Sequence, residues 1–239
     1  MGSSKPDTGK YKGPKVWVKK WVDYSSKYGL GYLLSNTSTG VFFNDSTKIV
    51  LDTDCHNFIY MERRTSDKKD IGSSYTLSDY PKDLQKKVTL LQHFRSYLEG
   101  SKKEGGESAS IGTERMKKEE GEEKKIEVKK GVEKKEMGDD TVYVKKWMRT
   151  RHAIMFRLSN KVVQVNFQDH TEIILSSESK VVTYVNKKGE RLTYPLSTAM
   201  ESSNMEMAKR LKYTKDILTH MLQSNQTNRA ATRETADAK

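Results

Sequence analysis

The chain has 239 residues, a single cysteine and a formal net charge of +12. One cysteine excludes an intramolecular disulfide and a cysteine-rich zinc site, and it fits a reducing compartment, cytosol or nucleus. Apolar residues nowhere run together at the length of a membrane span, and Met1 to Lys15 is rich in Ser, Lys, Gly and Pro without an apolar core, so neither a span nor a signal peptide is expected.

In chain order, residues 1–15 read as a linker. Val16 to Val22, Gly31 to Ser35, Gly40 to Asn44, Lys48 to Asp52 and Phe58 to Glu62 follow, rich in β-branched and aromatic residues and divided by Asn, Asp, Gly, Ser and Thr. That pattern predicts an antiparallel meander, with a sixth strand near Ser74 to Leu77. The period then changes. Leu84, Val88, Leu91, Phe94 or Arg95, and Leu98 mark one face of a helix that opens after Asp79-Tyr80-Pro81, closing a module at residues 16–99.

Residues 100–140 are Lys, Glu and Gly low complexity, with too little apolar surface to offset the entropy of ordering, and predict a solvated tether. The plan then repeats over residues 141–223. Strands are expected at Val142 to Met148, Ala153 to Leu158, Val162 to Phe167, Thr171 to Leu175, Val181 to Asn186 and Arg191 to Tyr194, with a hairpin turn at Asn186 to Gly189. A helix from about Ser202 to Leu222 carries Met207, Leu211, Thr214, Leu218 and Met221 on its buried stripe, and residues 224–239 read as a disordered tail.

The repetition is literal. Leu34-Ser35-Asn36 through Val41, Phe43, Asp45, Thr47, Ile49 and Leu51 recurs as Leu158-Ser159-Asn160 through Val165, Phe167, Asp169, Thr171, Ile173 and Leu175. Val16-Trp17-Val18-Lys19-Lys20-Trp21 recurs as Val142-Tyr143-Val144-Lys145-Lys146-Trp147. A period of roughly 125 residues is too long for a solenoid, whose units run about 20 to 50 residues. Two copies of one α+β module, meeting at a pseudo-twofold interface with a ligand cleft between them, are the expectation.

Catalytic patterns are missing: no phosphate loop, kinase catalytic loop, nucleophile elbow or HExxH occurs. His56, His93, His152, His170 and His220 do not pair at ligand spacing, so no metal and no cofactor are expected. The positive charge suits nucleic acid, or acidic and phosphorylated peptides. The aromatics alternate at strand spacing instead of interleaving with Lys and Arg on one exposed face, and Glu neutralises much of the tether lysine, which argues against a nucleic-acid partner. Trp21 and Trp147 end matching strands and read as core aromatics on their own sheets. Trp21 leads into Val22-Asp23-Tyr24-Ser25-Ser26-Lys27-Tyr28, whereas Trp147 leads into the basic Met148-Arg149-Thr150-Arg151.

With Val18 to Tyr32, Phe43-Asn44-Asp45-Ser46-Thr47, Leu90-Leu91, Phe94-Arg95, Tyr97, Arg149-Thr150-Arg151, Leu158-Ser159-Asn160 and Gln168-Asp169-His170-Thr171, the chain resembles the polo-box region of polo-like kinases. The resemblance implies two polo boxes, each a six-stranded antiparallel sheet with a carboxyl-terminal helix, clasping a peptide that carries Ser followed by phosphoSer or phosphoThr. It implies peptide contacts for Trp21, Val22 and Asp23, a phosphate grip for His170, and an adjacent apolar pocket of Tyr24, Tyr28, Leu90, Phe94 and Tyr97, where Leu90 and Phe94 equally suit a role seating the helix. It further implies a regulatory module of a serine/threonine kinase, without a catalytic domain in this chain, in cytoplasm and nucleus, at centrosome, spindle and kinetochore. Its partners would be phosphorylated proteins and an attached kinase domain, with no membrane.

One position departs from the family pattern. Glu172 stands where the resemblance implies a second phosphate-gripping residue, a lysine. Phosphate carries about −1.5 to −2 charge near pH 7, and a carboxylate about 4 Å away costs on the order of 4 kcal/mol per charge pair at an effective dielectric near 20. Two outcomes follow: Glu172 turns away while Lys19, Lys20, Arg149 or Arg151 supplies the charge, or the boxes form a phosphate-independent scaffold or dimerisation module.

Overall fold

The computed structural model describes residues 11–100, 135–136 and 141–234, side chains excepted at 135–136 and beyond 220. Strands β1 (Val18–Tyr24), β2 (Gly29–Leu34), β3 (Thr39–Phe43), β4 (Lys48–Leu51), β5 (Asn57–Arg63) and β6 (Asp70–Thr76) form an antiparallel meander in sequence order. A two-residue β7 (Lys135–Glu136) adds to the edge of β6, pairing Ile71 with Glu136 and Gly72 with Lys135. A 3-10 turn at Lys82–Leu84 then feeds α1 (Gln85–Gly100).

The second sheet runs β13-β12-β11-β10-β9-β8, from β8 (Val144–Arg149), β9 (Ala153–Leu158), β10 (Val162–Phe167), β11 (Glu172–Ser176), β12 (Val181–Val185) and β13 (Arg191–Pro195). Helix α2 (Met205–Glu234) follows, its first turn capped by Asn204, whose Oδ1 accepts the Met207 N–H at 3.0 Å. No helix among the described residues is long and apolar enough to cross a membrane.

The turns repeat as closely as the strands do. Asp45 Oδ1 accepts the Thr47 N–H and hydroxyl at 3.0 and 2.6 Å, and Asp169 Oδ1 accepts those of Thr171 at 3.2 and 2.7 Å. Each of these Asx turns puts its middle residue in the left-handed region, Ser46 at φ 68° and His170 at φ 67°. At Asn186 to Gly189, where a hairpin turn was expected, the Gly189 N–H bonds the Asn186 carbonyl at 2.9 Å with Gly189 at φ 81°.

Chain contacts divide the protein into two compact units, one of residues 15–147 with 156–160, the other of residues 1–14, 148–155 and 161–239. In the first, Val22, Val41, Phe43, Ile49, Leu51 and Phe58 meet Leu84, Val88, Leu91, Phe94 and Leu98 of the helix segment. Phe94 therefore occupies the buried stripe and Arg95 lies off it, paired to Glu99 at 2.8 Å. The opposite sheet face carries Val50 and Met61, covered by Tyr143. In the second unit, Met155, Val165, Phe167, Ile173, Val182 and Tyr184 meet Met207, Leu211 and Ile217.

Each module has the six-strand meander and closing helix that were expected, and the exposed edge of the first takes up two residues of the segment read as tether. Three sequence expectations need correction. Strand β6 begins at Asp70, earlier than Ser74, since it pairs with β5 as far as Arg63. Ile217 is the buried member of α2 where Leu218 was expected, with Leu218 only partly buried. Helix α2 continues to Glu234 through residues read as tail, for Ala230 and Ala231 are strong helix formers and extending a nucleated helix costs little. The Met221 expectation and the remaining tether lie outside the described side chains or residues.

Candidate functional site

Strand β1 places Trp21, Val22 and Asp23 in succession. Alternation turns Val22 into the core under α1 and leaves Trp21 half-buried, its ring 6.1 Å from that of Phe156 within the same unit. Asp23 Oδ1 accepts the N–H and hydroxyl of Ser25 at 3.0 and 2.6 Å, which closes the turn toward Tyr28. Tyr24 and Tyr28 stand 5.4 Å apart in a tilted pair.

These tyrosines, with Leu90 and Tyr97, are half-buried against the core that Phe94 fills. Phe94 itself packs directly over Gly31, where a methyl group would overlap the ring, so it seats α1 on the sheet. Of the expected pocket, Tyr24, Tyr28, Leu90 and Tyr97 are brought together with partly open faces, and Phe94 is wholly buried beneath them.

In the other unit, His170 is exposed at the tip of the Asp169 turn. Two residues on, Glu172 opens β11. Its Oε1 accepts a hydrogen bond from Asn166 Nδ2 at 3.0 Å, and the Asn166 oxygen accepts one from Gln164 Nε2 at 3.0 Å. Burial pushes the Glu172 carboxyl above its usual range, and Arg191 opposes that rise. Glu172, Val185 and Arg191 lie in one row across β11, β12 and β13.

The counter-charge for Glu172 is thus Arg191, which sequence reasoning did not name. Lys20 instead donates to the Leu98 carbonyl at 3.0 Å, in the last turn of α1, and Arg151 Nε donates to His152 Nε2 at 2.9 Å. Lys19 and Arg149 are exposed. Trp21 and His170 fall in different units.

A second feature escaped the sequence reading. Lys87 donates to Asp45 Oδ2 at 2.6 Å while standing 5.0 Å from the centroid of the Phe43 ring; Arg210 bonds Asp169 Oδ2 and lies 4.5 Å over Phe167. Each module bolts its helix to the same Asp-x-Thr turn by an ion pair stacked on the same phenylalanine. The signal was present: Lys87 follows Leu84, and Arg210 follows Met207, by the same helical step.

The family model described as POLO box duplicated region matches residues 26–88 and 150–211. The probable serine/threonine-protein kinase CCRP1 of Zea mays is 54% identical over 176 residues, 74% of this chain and 24% of that protein. Serine/threonine-protein kinase PLK1 of Xenopus tropicalis is 37% identical over 225 residues, 93% of this chain and 33% of that one. The chain therefore spans about a quarter to a third of the length of these curated relatives. Among solved structures, the budding yeast Cdc5 polo-box domain in complex with Spc72 phosphopeptide aligns with a TM-score of 0.66 at 25% identity, over 88% of this chain and 73% of that one. The same domain in complex with the Dbf4 polo-interacting region gives 0.64 at 26% identity, over 92% and 78%. Two matched copies on a duplicated sheet-and-helix plan, with relatives aligned along nearly the whole length, make this chain a member of the POLO box family.

Proposed function

We propose that this chain is the docking module of a polo-like serine/threonine kinase, binding a partner segment with Ser followed by phosphoSer or phosphoThr and so bringing an attached catalytic domain to mitotic structures such as centrosome, spindle and kinetochore. The observation that carries this reading is the likeness, along most of the chain, to the Cdc5 polo-box domain in complex with Spc72 phosphopeptide. Trp21, Val22 and Asp23 would meet the peptide, and the exposed His170 would meet its phosphate. Tyr24, Tyr28, Leu90 and Tyr97 offer the neighbouring apolar surface, with Phe94 as its floor.

Glu172 does not bar this role. Its carboxylate accepts from Asn166 and is opposed by Arg191, so its charge is partly answered inside its own sheet. Position 172 then contributes no grip of its own, and phosphate recognition leans on His170. The second reading, a phosphate-independent scaffold, draws on Glu172 itself and on the likeness to the Cdc5 domain in complex with the Dbf4 polo-interacting region.

Fluorescence anisotropy with a Ser-phosphoThr peptide and its unphosphorylated twin separates the two. Tighter binding of the phosphorylated peptide, weakened by Trp21→Ala and by His170→Ala, is expected. Glu172→Lys adds a charged hydrogen bond and is expected to tighten it roughly tenfold or more. Equal affinities for the two peptides would defeat the phosphate reading and leave the scaffold.

A further inference from the structure

The second module has a cavity of about 440 Å³ between its helix and two of its turns, within the size range of ligand pockets. Its apolar wall is Phe167 and Tyr213, with ring centroids 5.6 Å apart. His152 stands edge-on to Tyr213 at 6.3 Å, and the exposed Lys209 and the stacked Arg210 form the helix side. The notch is held by hydrogen bonds independent of any ligand. Gln168 Nε2 donates to the Arg151 carbonyl at 2.6 Å, the Gln168 N–H donates to the His152 carbonyl at 3.1 Å, and the Thr150 and Tyr213 hydroxyls share a bond at 3.0 Å.

Duplication explains where this notch comes from. His152, Phe167 and Tyr213 occupy the places that Tyr28, Phe43 and Leu90 hold in the first module. Cations flank both places, Lys27, Lys86 and Lys87 in the first module and Arg151, Lys209 and Arg210 in the second; what changes is that His152 and Tyr213 stand where Tyr28 and Leu90 make the first surface more apolar. Among the described residues Asp169 is the one acidic residue lining the cavity, and Arg210 and Lys187, the latter at 3.9 Å, already answer it. Lys209 and Arg151 add positive charge that Asp169 does not offset.

We propose that this notch docks an acidic peptide segment bearing an aromatic side chain, the ring lying against the half-buried Tyr213, which Phe167 backs from the core, and the carboxylates facing Lys209, Arg151 and His152. The site is separate from the phosphate reading and does not depend on it. Recognition by carboxylates at a partly exposed cationic rim is weakened by salt, whereas the aromatic contact is not.

The test uses the full chain and a labelled peptide with phenylalanine flanked by Asp and Glu, set against its Asn and Gln twin, neither of them phosphorylated. The acidic peptide is expected to bind roughly tenfold more tightly at low salt, and Lys209→Glu or Arg151→Glu, both on the surface, to remove roughly five- to tenfold of that affinity. Amide resonances of His152, Gln168 and Tyr213 should shift on titration, and the affinity of Lys209→Glu for the Ser-phosphoThr peptide should stay within about twofold. Equal binding of the two peptides, indifference to both substitutions, or a poly-dT oligonucleotide that displaces the acidic peptide at lower concentration would overturn the proposal. If the phosphopeptide shows no preference for its phosphate while the acidic peptide still discriminates, the earlier reading fails and this one stands.

Discussion

Lys48 in the first module and Glu172 in the second occupy the same place, the first residue of the fourth strand, with opposite charge. Lys48 is 2% exposed and reaches Asp70 at 2.8 Å, itself 7% exposed, and Asp70 also accepts the Tyr143 hydroxyl at 3.0 Å. Glu172 is half-buried, and the charge of Arg191 pulls its carboxyl down against the rise that burial causes. In both modules the sixth strand carries the counter-charge, Asp70 on β6 and Arg191 on β13. The sheet accepts either sign at this place, lysine bonded to Asp70 in the first module and, as the inverted pair, glutamate opposed electrostatically by Arg191 in the second.

The burial difference is the first thing to break. Asp70→Ala strands a buried ammonium and is expected to cost about 3–5 kcal/mol, read as a lower urea midpoint. Replacing Lys48 and Asp70 together by Met and Leu should recover most of that loss, because the pair's desolvation cost goes with it. Arg191→Ala, at an exposed position, should cost less than about 1 kcal/mol. Equal losses from Asp70→Ala and Arg191→Ala would show that depth does not distinguish the two pairs.

Gly31 lies under Phe94 in the first module, and the matching places in the second hold Met155 and Ile217. One module fills the space from the helix, the other from the strand. Gly31→Ala should therefore cost about 1–3 kcal/mol through overpacking, and adding Phe94→Leu should return part of it. A neutral Gly31→Ala, seen as an unchanged thermal midpoint, would mean the helix rides up at no cost.

What the sequence showed depended on how local the cause was. Strands bounded by Asn, Asp and Gly turns were legible because turn chemistry is local, and helix stripes were legible wherever apolar spacing was unambiguous. Lys135–Glu136 could not be read as a strand, since nothing in a Lys and Glu run favours one; the vacant edge of β6 decides it. Lys48 reads as a solvent-facing residue until Asp70 and Tyr143 are seen beside it. The site followed the same rule. Trp21 and His170 stood out by residue type, and the departure at Glu172 was visible, but Asn166 and Arg191 become its partners only through strand register.

The stacked ion pairs form a third comparison, this time of likeness. Lys87→Met and Arg210→Met should each cost about 1 kcal/mol, since both pairs are partly solvated. A larger loss from Arg210→Met than from Lys87→Met, in parallel urea titrations, would show that the guanidinium over Phe167 contributes more than the ammonium beside Phe43.

The smallest effect sets two neighbouring carboxylates against each other. At Asp169 burial pushes upward, but the Thr171 hydroxyl and amide, Arg210 and Lys187 outweigh it and hold the group below the usual carboxylate range. Its stabilising contribution is present above the unfolded value near 3.9 and is lost as pH falls through the lower folded value. Glu172, raised by burial against the pull of Arg191, behaves oppositely: its contribution is complete below the unfolded value near 4.3 and is lost as pH rises through the raised folded value. Glu172→Gln keeps an acceptor for Asn166 and removes the penalty, so it should raise the thermal midpoint at pH 7 by about 1–3 °C, with the gain disappearing near pH 4. Asp169→Asn should lower the midpoint at pH 7 and converge with the parent protein on acidification. If Glu172→Gln is instead less stable at pH 7, Arg191 outweighs burial there, and the inverted pair in the second module is a source of stability comparable in kind to that in the first.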